Sequence, residues 1–175
     1  LHTMVISNER RTEGFIYTAK LMFNLAVEIK NKLGIELEFV NLGGGVGIPY
    51  RPEEEPVDLE AVGKGIQQAY NEILGPAGLT NIAIKMESGR AMTGPAGWLV
   101  STVLHEKKTY KDYIGLDSCM ANLMRPALYG AYHHITISGK ENALCDHIYD
   151  VTGSLCENND KFAIDRKLPK IDIGD

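Results

Sequence analysis

The fold is decided by the stretch ELEFVNLGGGVG, residues 36–47, in which a strand-forming segment runs directly into a run of glycines. We predict a β-strand over 36–42 and a tight loop over 43–47. Glycines that follow a strand let backbone N–H groups approach a neighbouring group closely, because no side chain intervenes. Such a loop is typical of the carboxyl edge of a parallel sheet.

The segments on either side of this stretch alternate between helix and strand. Apolar residues recur at steps of three and four over 11–33, which predicts an amphipathic helix that Gly34 ends. A second helix is predicted over 58–74, and further strands over 1–6 and 82–86. This β-α-β-α-β order predicts parallel strands joined by right-handed crossovers.

The character of the chain changes near Pro95, after which the helical period disappears. Runs of β-forming residues bounded by turns follow at 98–110, 135–137 and 148–152. We therefore predict the fold class as α/β plus β. One domain covers 1–95, and an antiparallel β-domain covers 96–175.

Composition narrows the function classes. The 175 residues carry a formal net charge of −5, with 44% hydrophobic and 23% charged residues. This is enough for a packed core, and it argues against nucleic acid or an anionic membrane as the main partner. No apolar run approaches the roughly 18–20 residues of a membrane span. The chain opens on Leu1 and ends on a strand-like segment, 171–175, which predicts a piece of a longer protein.

Three cysteines, at positions 119, 145 and 156, are odd in number and form no CxxC pair. This argues against a disulfide framework or a zinc site and favours a reducing, cytoplasmic compartment. We predict that Cys119 and Cys145 are buried, and that Cys156, among turn-forming polar residues, is exposed and reactive. The histidines have no metal-like spacing, so we predict no metal site.

Two motifs at strand ends allow opposite interpretations. The run at 43–47 forms either a bare turn or an anion site, and it lacks the last glycine of GxGxxG and the lysine of a phosphate loop. Glu87 and Arg90, in Glu-Ser-Gly-Arg, form either an ion pair or a binding site. In the second case the Glu faces a cationic ring nitrogen and the Arg an oxyanion.

Arg125 and Tyr129 form a third motif, four residues apart in the segment RPALY. A helical turn places both side chains on one face, where together they can bind a carboxylate. The alternative is a solvated arginine beside a packing tyrosine.

The order of these motifs is more specific than any one of them. A strand followed by Ser7, then GGGxG, ExGR, RPxLYGAYH and GxxCE, resembles the pyridoxal-phosphate (PLP) decarboxylases of the alanine-racemase fold type, above all the diaminopimelate decarboxylases. The resemblance implies a (β/α)8 TIM barrel, of which 1–95 is the later part, and a C-terminal β-domain that 96–175 leaves incomplete. It also implies a homodimer with active sites shared between subunits.

The resemblance assigns the cofactor contacts residue by residue. It implies that the amides of the glycine run and the hydroxyl of Ser7 hold the phosphate, and that Glu87 pairs with the protonated pyridine nitrogen. Arg90 matches an arginine near the phosphate and the substrate carboxylate. The full set of implied cofactor-binding residues is Ser7, Gly43, Gly44, Gly45, Glu87, Gly89 and Arg90.

Substrate contacts and a catalytic pair are implied as well, for the decarboxylation of meso-diaminopimelate to L-lysine. Arg125 and Tyr129 match residues that bind the distal end of the substrate, where diaminopimelate carries a second carboxylate. Cys156 and Glu157 match a Cys-Glu pair that enters the neighbouring subunit's active site. A thiol there can donate a proton to the carbanion left after carbon dioxide departs. Glu157 and Arg90 are also implied substrate contacts.

Among the departures of the chain from the family pattern, two bear directly on the cofactor. Met4 stands where the family usually has a histidine that stacks on the cofactor ring. No lysine of this chain lies in the family's Schiff-base motif, so we predict that the chain alone has no decarboxylase activity. Two alternatives stay open: a related decarboxylase for another basic amino acid or a carboxylated polyamine, and a catalytically inactive regulatory homologue.

Overall fold

The computed structural model describes all residues 1–175 and divides them into two compact units. The first unit comprises Leu1–Pro49 and Glu55–Gly97, and the second comprises Tyr50–Glu54 and Trp98–Asp175. The predicted first domain, 1–95, includes Tyr50–Glu54, whereas these residues belong to the second unit.

The first unit alternates helices with short parallel strands. Its elements are α1 (Thr12–Leu33), β1 (Phe39–Asn41), α2 (Leu59–Ile73), β2 (Ala83–Lys85), α3 (Gly89–Thr93) and a 3₁₀ turn (Gly94–Ala96). Strands β1 and β2 pair in parallel, with Val40 opposite Ile84. The strand predicted over 1–6 does not form, and only an isolated parallel bridge between His2 and Asn41 joins this segment to β1. The alternation of helix and strand from α1 to β2 and the parallel direction of β1 and β2 are confirmed.

Local signals explain where the two long helices begin and end. Helix α1 ends at Gly34, whose left-handed φ of 67° is one that glycine adopts without steric cost. Helix α2 begins after Asp58, whose carboxylate accepts a hydrogen bond from Ala61 N at 2.8 Å. Both predicted helices are confirmed to within one residue at each end.

The core of the first unit lies where α1 and α2 pack together. Phe23 and Tyr70 meet edge to face with ring centroids 5.8 Å apart. The Tyr70 hydroxyl donates to Ile82 O at 3.1 Å, which ties α2 to the approach to β2. The helices approach closely at Gly65, where a Cβ would collide with Ile16. Packing of this kind holds the strand ends in fixed positions.

The second unit is a four-stranded sheet in the order β3-β4-β5-β6. Its elements are β3 (Val103–Lys108), β4 (Asp112–Leu116), α4 (Arg125–Tyr129), β5 (His147–Thr152) and β6 (Lys161–Leu168). The prediction of a purely antiparallel domain is wrong, because β4 and β5 run in parallel. The long connection over 117–146, which carries α4, allows β5 to return in the same direction as β4.

Two other expectations for the second unit are also wrong. Residues 135–137 form no strand, although Ile137 is buried in the core of this unit. Their apolar alternation serves packing without a partner strand. Cys145 is exposed and Cys119 only half-buried, whereas Cys156 is exposed as predicted. None of the helices in the molecule is long and apolar enough to cross a bilayer.

A buried carboxylate organises the sheet of the second unit. Asp150 on β5 is 1% exposed and accepts hydrogen bonds from Lys161 Nζ at 3.0 Å and Lys111 Nζ at 3.2 Å. It also accepts from Asp165 N at 2.9 Å. Burial alone would raise the pKa of Asp150, but these hydrogen bonds and the lysine charges outweigh it and lower that pKa below its ordinary value. The carboxylate of Asp150 is thus buried with hydrogen-bond donors on both of its oxygens.

Candidate active site

In the first unit, three chain segments end along one edge. Asn41 N donates to Leu1 O at 2.8 Å, and Leu42 N donates to Lys85 O at 2.9 Å. The segment 1–3, β1 and β2 are therefore neighbours that run in the same direction. Their carboxyl ends lead to Met4, the glycine run and Glu87, as the sequence predicts for a parallel sheet.

The glycine run fits between its neighbours because it has no side chains. At Gly44 a Cβ would collide with the carbonyl of Glu87, and at Gly45 with that of Ile6. Gly45 also has a φ of 85°, which strains any L residue with a side chain. The backbone N of Ser7 lies 3.3 Å from the position of a Gly45 Cβ. The structure therefore brings together the glycine run and Ser7, two of the predicted phosphate contacts.

Side chains of this unit already use two of the glycine amides. Gly43 N donates to Asn41 Oδ1 at 2.9 Å, and Gly44 N donates to Met4 Sδ at 3.3 Å. The thioether that replaces the expected ring-stacking histidine thus lies against the loop. A phosphate that binds to Gly44 N has to displace the Met4 side chain.

Glu87 projects from the end of β2 and is held from two sides. Its Oε1 accepts from Asn41 Nδ2 at 2.8 Å, and its Oε2 lies 3.5 Å from His2 Nε2. Its side chain is 55% exposed, so the carboxylate remains open to a ligand. Gly89 and Arg90 follow directly in α3, and no atom lies within 4 Å of the position of a Gly89 Cβ. No role was predicted for Asn41, although its place at the end of a strand directly before the glycines was a signal.

In the second unit, Arg125 lies at the start of α4 and is held by aromatic neighbours. Its Nη1 donates to His133 Nε2 at 2.9 Å, and its guanidinium lies 4.8 Å from the ring centroid of Tyr50. An arginine can only donate, so His133 must accept through Nε2. Tyr129, at the other end of the same short helix, is exposed. The predicted helical turn is confirmed, with Arg125 and Tyr129 at its two ends.

A stack of two arginines on one tyrosine supports the segment after α4. The guanidiniums of Arg51 and Arg166 lie 3.9 and 4.1 Å from the centroid of the Tyr132 ring. Arg166 Nη1 also donates to the carbonyl of His133 at 2.9 Å. Burial lowers the pKa of Arg166, and the charge of Arg51 adds to that effect. These contacts fix the backbone of His133 and, through His133, the position of Arg125.

The predicted Cys-Glu pair lies on a separate loop of the second unit. Cys156 and Glu157 are exposed, whereas Asp160 is 2% exposed. The Asp160 carboxylate accepts hydrogen bonds from Leu155 N at 2.7 Å and from Met120 N. It therefore anchors the loop that carries Cys156 and Glu157. An open groove of about 690 Å³, lined by tyrosines and by Leu155, runs beside Cys156. No role was predicted for Asp160, which lies four residues after the cysteine in the sequence.

The chain matches the family described as "Pyridoxal-dependent decarboxylase, C-terminal sheet domain" over residues 3–175. Protein TabA of Pseudomonas amygdali pv. tabaci is 39% identical over 100% of this chain and 41% of its own length. Diaminopimelate decarboxylase of Methanothermobacter thermautotrophicus is 35% identical, with the same coverage of 100% and 41%. The chain therefore spans about two fifths of the length of these relatives.

Solved structures give the same result. A crystal structure of diaminopimelate decarboxylase from M. jannaschii superposes with a TM-score of 0.85 at 31% identity, covering 99% of this chain and 39% of that one. The Helicobacter pylori diaminopimelate decarboxylase complexed with L-lysine gives a TM-score of 0.83 at 31% identity, covering 99% and 41%. From the match over residues 3–175, the chain belongs to the pyridoxal-dependent decarboxylase family.

Proposed function

We propose that this chain is part of a PLP-dependent decarboxylase that converts meso-diaminopimelate to L-lysine and carbon dioxide. One observation carries the proposal: Glu87, at the carboxyl end of the parallel strands, has its backbone against Gly44 of the glycine run and an exposed carboxylate. Relatives and solved structures named diaminopimelate decarboxylase support the choice of substrate, and one of those structures holds L-lysine.

The residues at this edge fit PLP. The glycine run brings backbone amides to this edge, which suits a phosphate once Met4 moves away from Gly44 N. Ser7, whose backbone N lies 3.3 Å from the position of a Gly45 Cβ, follows the neighbouring segment. Glu87 offers an open carboxylate for the protonated pyridine nitrogen. When bound, PLP supplies an electron sink for the carbanion that decarboxylation leaves. Glu87 keeps the proton on the ring nitrogen, so that this sink remains strong.

The remaining candidate residues act on the substrate. The planar, bidentate guanidinium of Arg125 suits the distal carboxylate, and Tyr129 adds a hydroxyl from the same helix. Arg90 binds the phosphate or the reacting carboxylate. The Cys156 thiol donates a proton to the carbon that loses carbon dioxide, and Glu157 contacts the substrate. Because Cys156 and Glu157 are exposed, we assign them to the active site of a second subunit in a homodimer.

We also propose that 1–95 belongs to the later part of a closed (β/α)8 barrel and 96–175 to the C-terminal β-domain. The parallel strands with intervening helices in the first unit support this assignment. The outer edges of the segment 1–3 and of β2 are ones that further barrel strands would cover. The lysine that binds PLP then comes from the part of the enzyme outside this chain. Three free cysteines support a reducing, cytoplasmic location.

The test uses the full-length protein that contains this chain, loaded with PLP. We expect release of carbon dioxide from meso-diaminopimelate, with far lower turnover of L-ornithine, L-lysine and a carboxylated polyamine. Arg125→Gln is expected to raise KM for meso-diaminopimelate about 100-fold, since a charge-assisted bidentate contact is lost. Preferred turnover of a substrate without a distal carboxylate, or no effect of Arg125→Gln, would show that the proposed substrate is wrong.

A catalytically inactive homologue is the second candidate, favoured by the hydrogen bond from Gly44 N to Met4 Sδ. In that case Met4 keeps the loop closed to phosphate. Added PLP would then give no absorbance band of bound cofactor with the full-length protein, and Met4→His would be needed to produce one. A band in the unaltered protein eliminates this candidate.

A further inference from the structure

Asn41 connects the two ends of the proposed cofactor site with a single side chain. It is the last residue of β1, and its Nδ2 donates to Glu87 Oε1 at 2.8 Å. Its Oδ1 accepts from Gly43 N at 2.9 Å. One amide group therefore contacts both the acid for the ring nitrogen and the first residue of the glycine run.

The partners of Asn41 fix which of its two ends points where. A carboxylate such as that of Glu87 accepts hydrogen bonds, so it requires the NH₂ end of the amide. The backbone N–H of Gly43 donates, so it requires the oxygen. A flipped amide would place oxygen against carboxylate and NH₂ against N–H, and would lose both bonds. Asparagine therefore suits this position because it has a donor and an acceptor on one short side chain.

The backbone beneath this side chain is held on both sides. Asn41 N donates to Leu1 O at 2.8 Å, and Asn41 O accepts from Thr3 N at 3.2 Å. On the other side Asn41 is paired in register with Lys85, two residues before Glu87. The amide thus extends from the middle of three parallel segments and has little freedom to move.

The geometry points to Asn41 as a positioning residue for the cofactor. It holds the Glu87 carboxylate where the ring nitrogen binds and holds Gly43 where the phosphate loop begins, so it fixes the distance between the two contacts. His2, 3.5 Å from the other carboxylate oxygen, leaves Glu87 bounded on both sides. This inference rests on the proposed function, because it requires that Glu87 and the glycine run bind PLP.

The test measures PLP binding by the full-length protein, with absorbance of the bound cofactor as the readout. Asn41→Leu keeps the approximate size and removes both hydrogen bonds, and we expect a rise in the PLP Kd of about 10- to 100-fold. Asn24→Leu is the matched control. Asn24 is exposed on α1 and donates to its own helix at Lys20 O, 2.8 Å away, so its loss leaves the Kd unchanged.

A double-mutant cycle separates positioning from a general loss of structure. If Asn41 acts through Glu87, Asn41→Leu has a smaller effect on the Kd in a Glu87→Ala background than in the unaltered protein. The absorbance maximum of bound PLP should shift with Asn41→Leu in the same direction as with Glu87→Ala, and by less. Asn41→Ser, which makes only one of the two bonds and adds no bulk, is expected to fall in between.

The outcomes distinguish this inference from the function on which it rests. If the unaltered protein binds no PLP, the proposed function fails and the role of Asn41 fails with it. If it binds PLP and Asn41→Leu binds equally well, only the role of Asn41 is overturned. Equal effects of Asn41→Leu with and without Glu87 also overturn it. Should Asn41→Leu fail to fold, the same comparisons are made with Asn41→Ser.

Discussion

The two units hold their candidate residues by different physical means. In the first unit, backbone groups approach each other closely around the glycine run, and a single amide, that of Asn41, joins the loop to Glu87. In the second unit, charged and aromatic side chains hold the residues in position, as at Arg125 and around Asp150. The first arrangement tolerates no added atom, whereas the second depends on charge and hydrogen bonding.

The largest loss of stability is expected from adding a side chain to the glycine run of the first unit, where a Cβ has no space. Gly45→Ala combines a φ of 85° with a collision between the new methyl group and Ile6 O, so we expect a loss of about 3 kcal/mol in unfolding free energy. Gly34→Ala is the control, because it has a similar φ of 67° but nothing within 4 Å of the added Cβ. Urea unfolding measures both. Equal losses at the two sites would show that close backbone approach is not what constrains the loop.

The next largest loss of stability is expected from removing the buried charge of Asp150 in the second unit. Asp150→Asn keeps the shape but removes the charge that Lys111 and Lys161 contact, and we expect a loss of about 2 kcal/mol at neutral pH. Asp165→Asn, exposed and in contact with the same Lys111, should cost much less.

The contribution of Asp150 to folding stability is expected to decrease at low pH. The folded pKa of Asp150 lies below its ordinary value of 3.8, so its contribution is present above that pH and is lost as the pH falls through the folded pKa. The difference in stability between the unaltered protein and Asp150→Asn should therefore shrink below about pH 4. A difference that stays constant down to pH 2 would mean that the buried charge is not what stabilises the sheet.

A third effect concerns substrate recognition in the second unit. His133→Leu removes the acceptor for Arg125 Nη1, and we expect KM for meso-diaminopimelate to rise about 10-fold with kcat less affected. The neighbouring His134 is exposed and bonds Tyr132 Oη at 3.0 Å through Nδ1, so His134→Leu serves as the control. Similar KM values for the two variants would show that His133 does not orient Arg125.

What the sequence predicted well was encoded in neighbouring residues. The period of apolar residues, with Asp58 and Gly34 at helix ends, gave both long helices, and the glycine run gave the loop. The parallel pairing of β4 with β5 was not predictable in this way, because it joins segments on either side of a long connection. The alternating residues 135–137 looked like a strand, but alternation alone does not show whether a partner strand exists.

The difference between local patterns and contacts of distant segments also explains which site residues were not predicted. The predicted set was recognised from ordered motifs, whereas Asn41, His133 and Asp160 act through contacts that the sequence does not display. Asn41 and Glu87 are 46 positions apart, and Asp160 reaches Met120 across 40. A side chain that positions a functional group is identified by its partners, and those partners become known only when the fold is known.

The smallest change in stability is expected from removing a surface ion pair of the first unit, between Glu9 and Arg11. Glu9 precedes α1, and hydrogen bonds from the Arg11 side chain and backbone lower its pKa from an ordinary 4.5 to about 2. Its stabilising contribution is thus present above pH 4.5 and is lost as the pH falls toward 2. Arg11→Gln should move the Glu9 titration, followed by NMR, back toward 4.5 while the neutral-pH melting temperature hardly changes. A clear drop in that temperature would show that the first unit also depends on charge, and would weaken its contrast with the second.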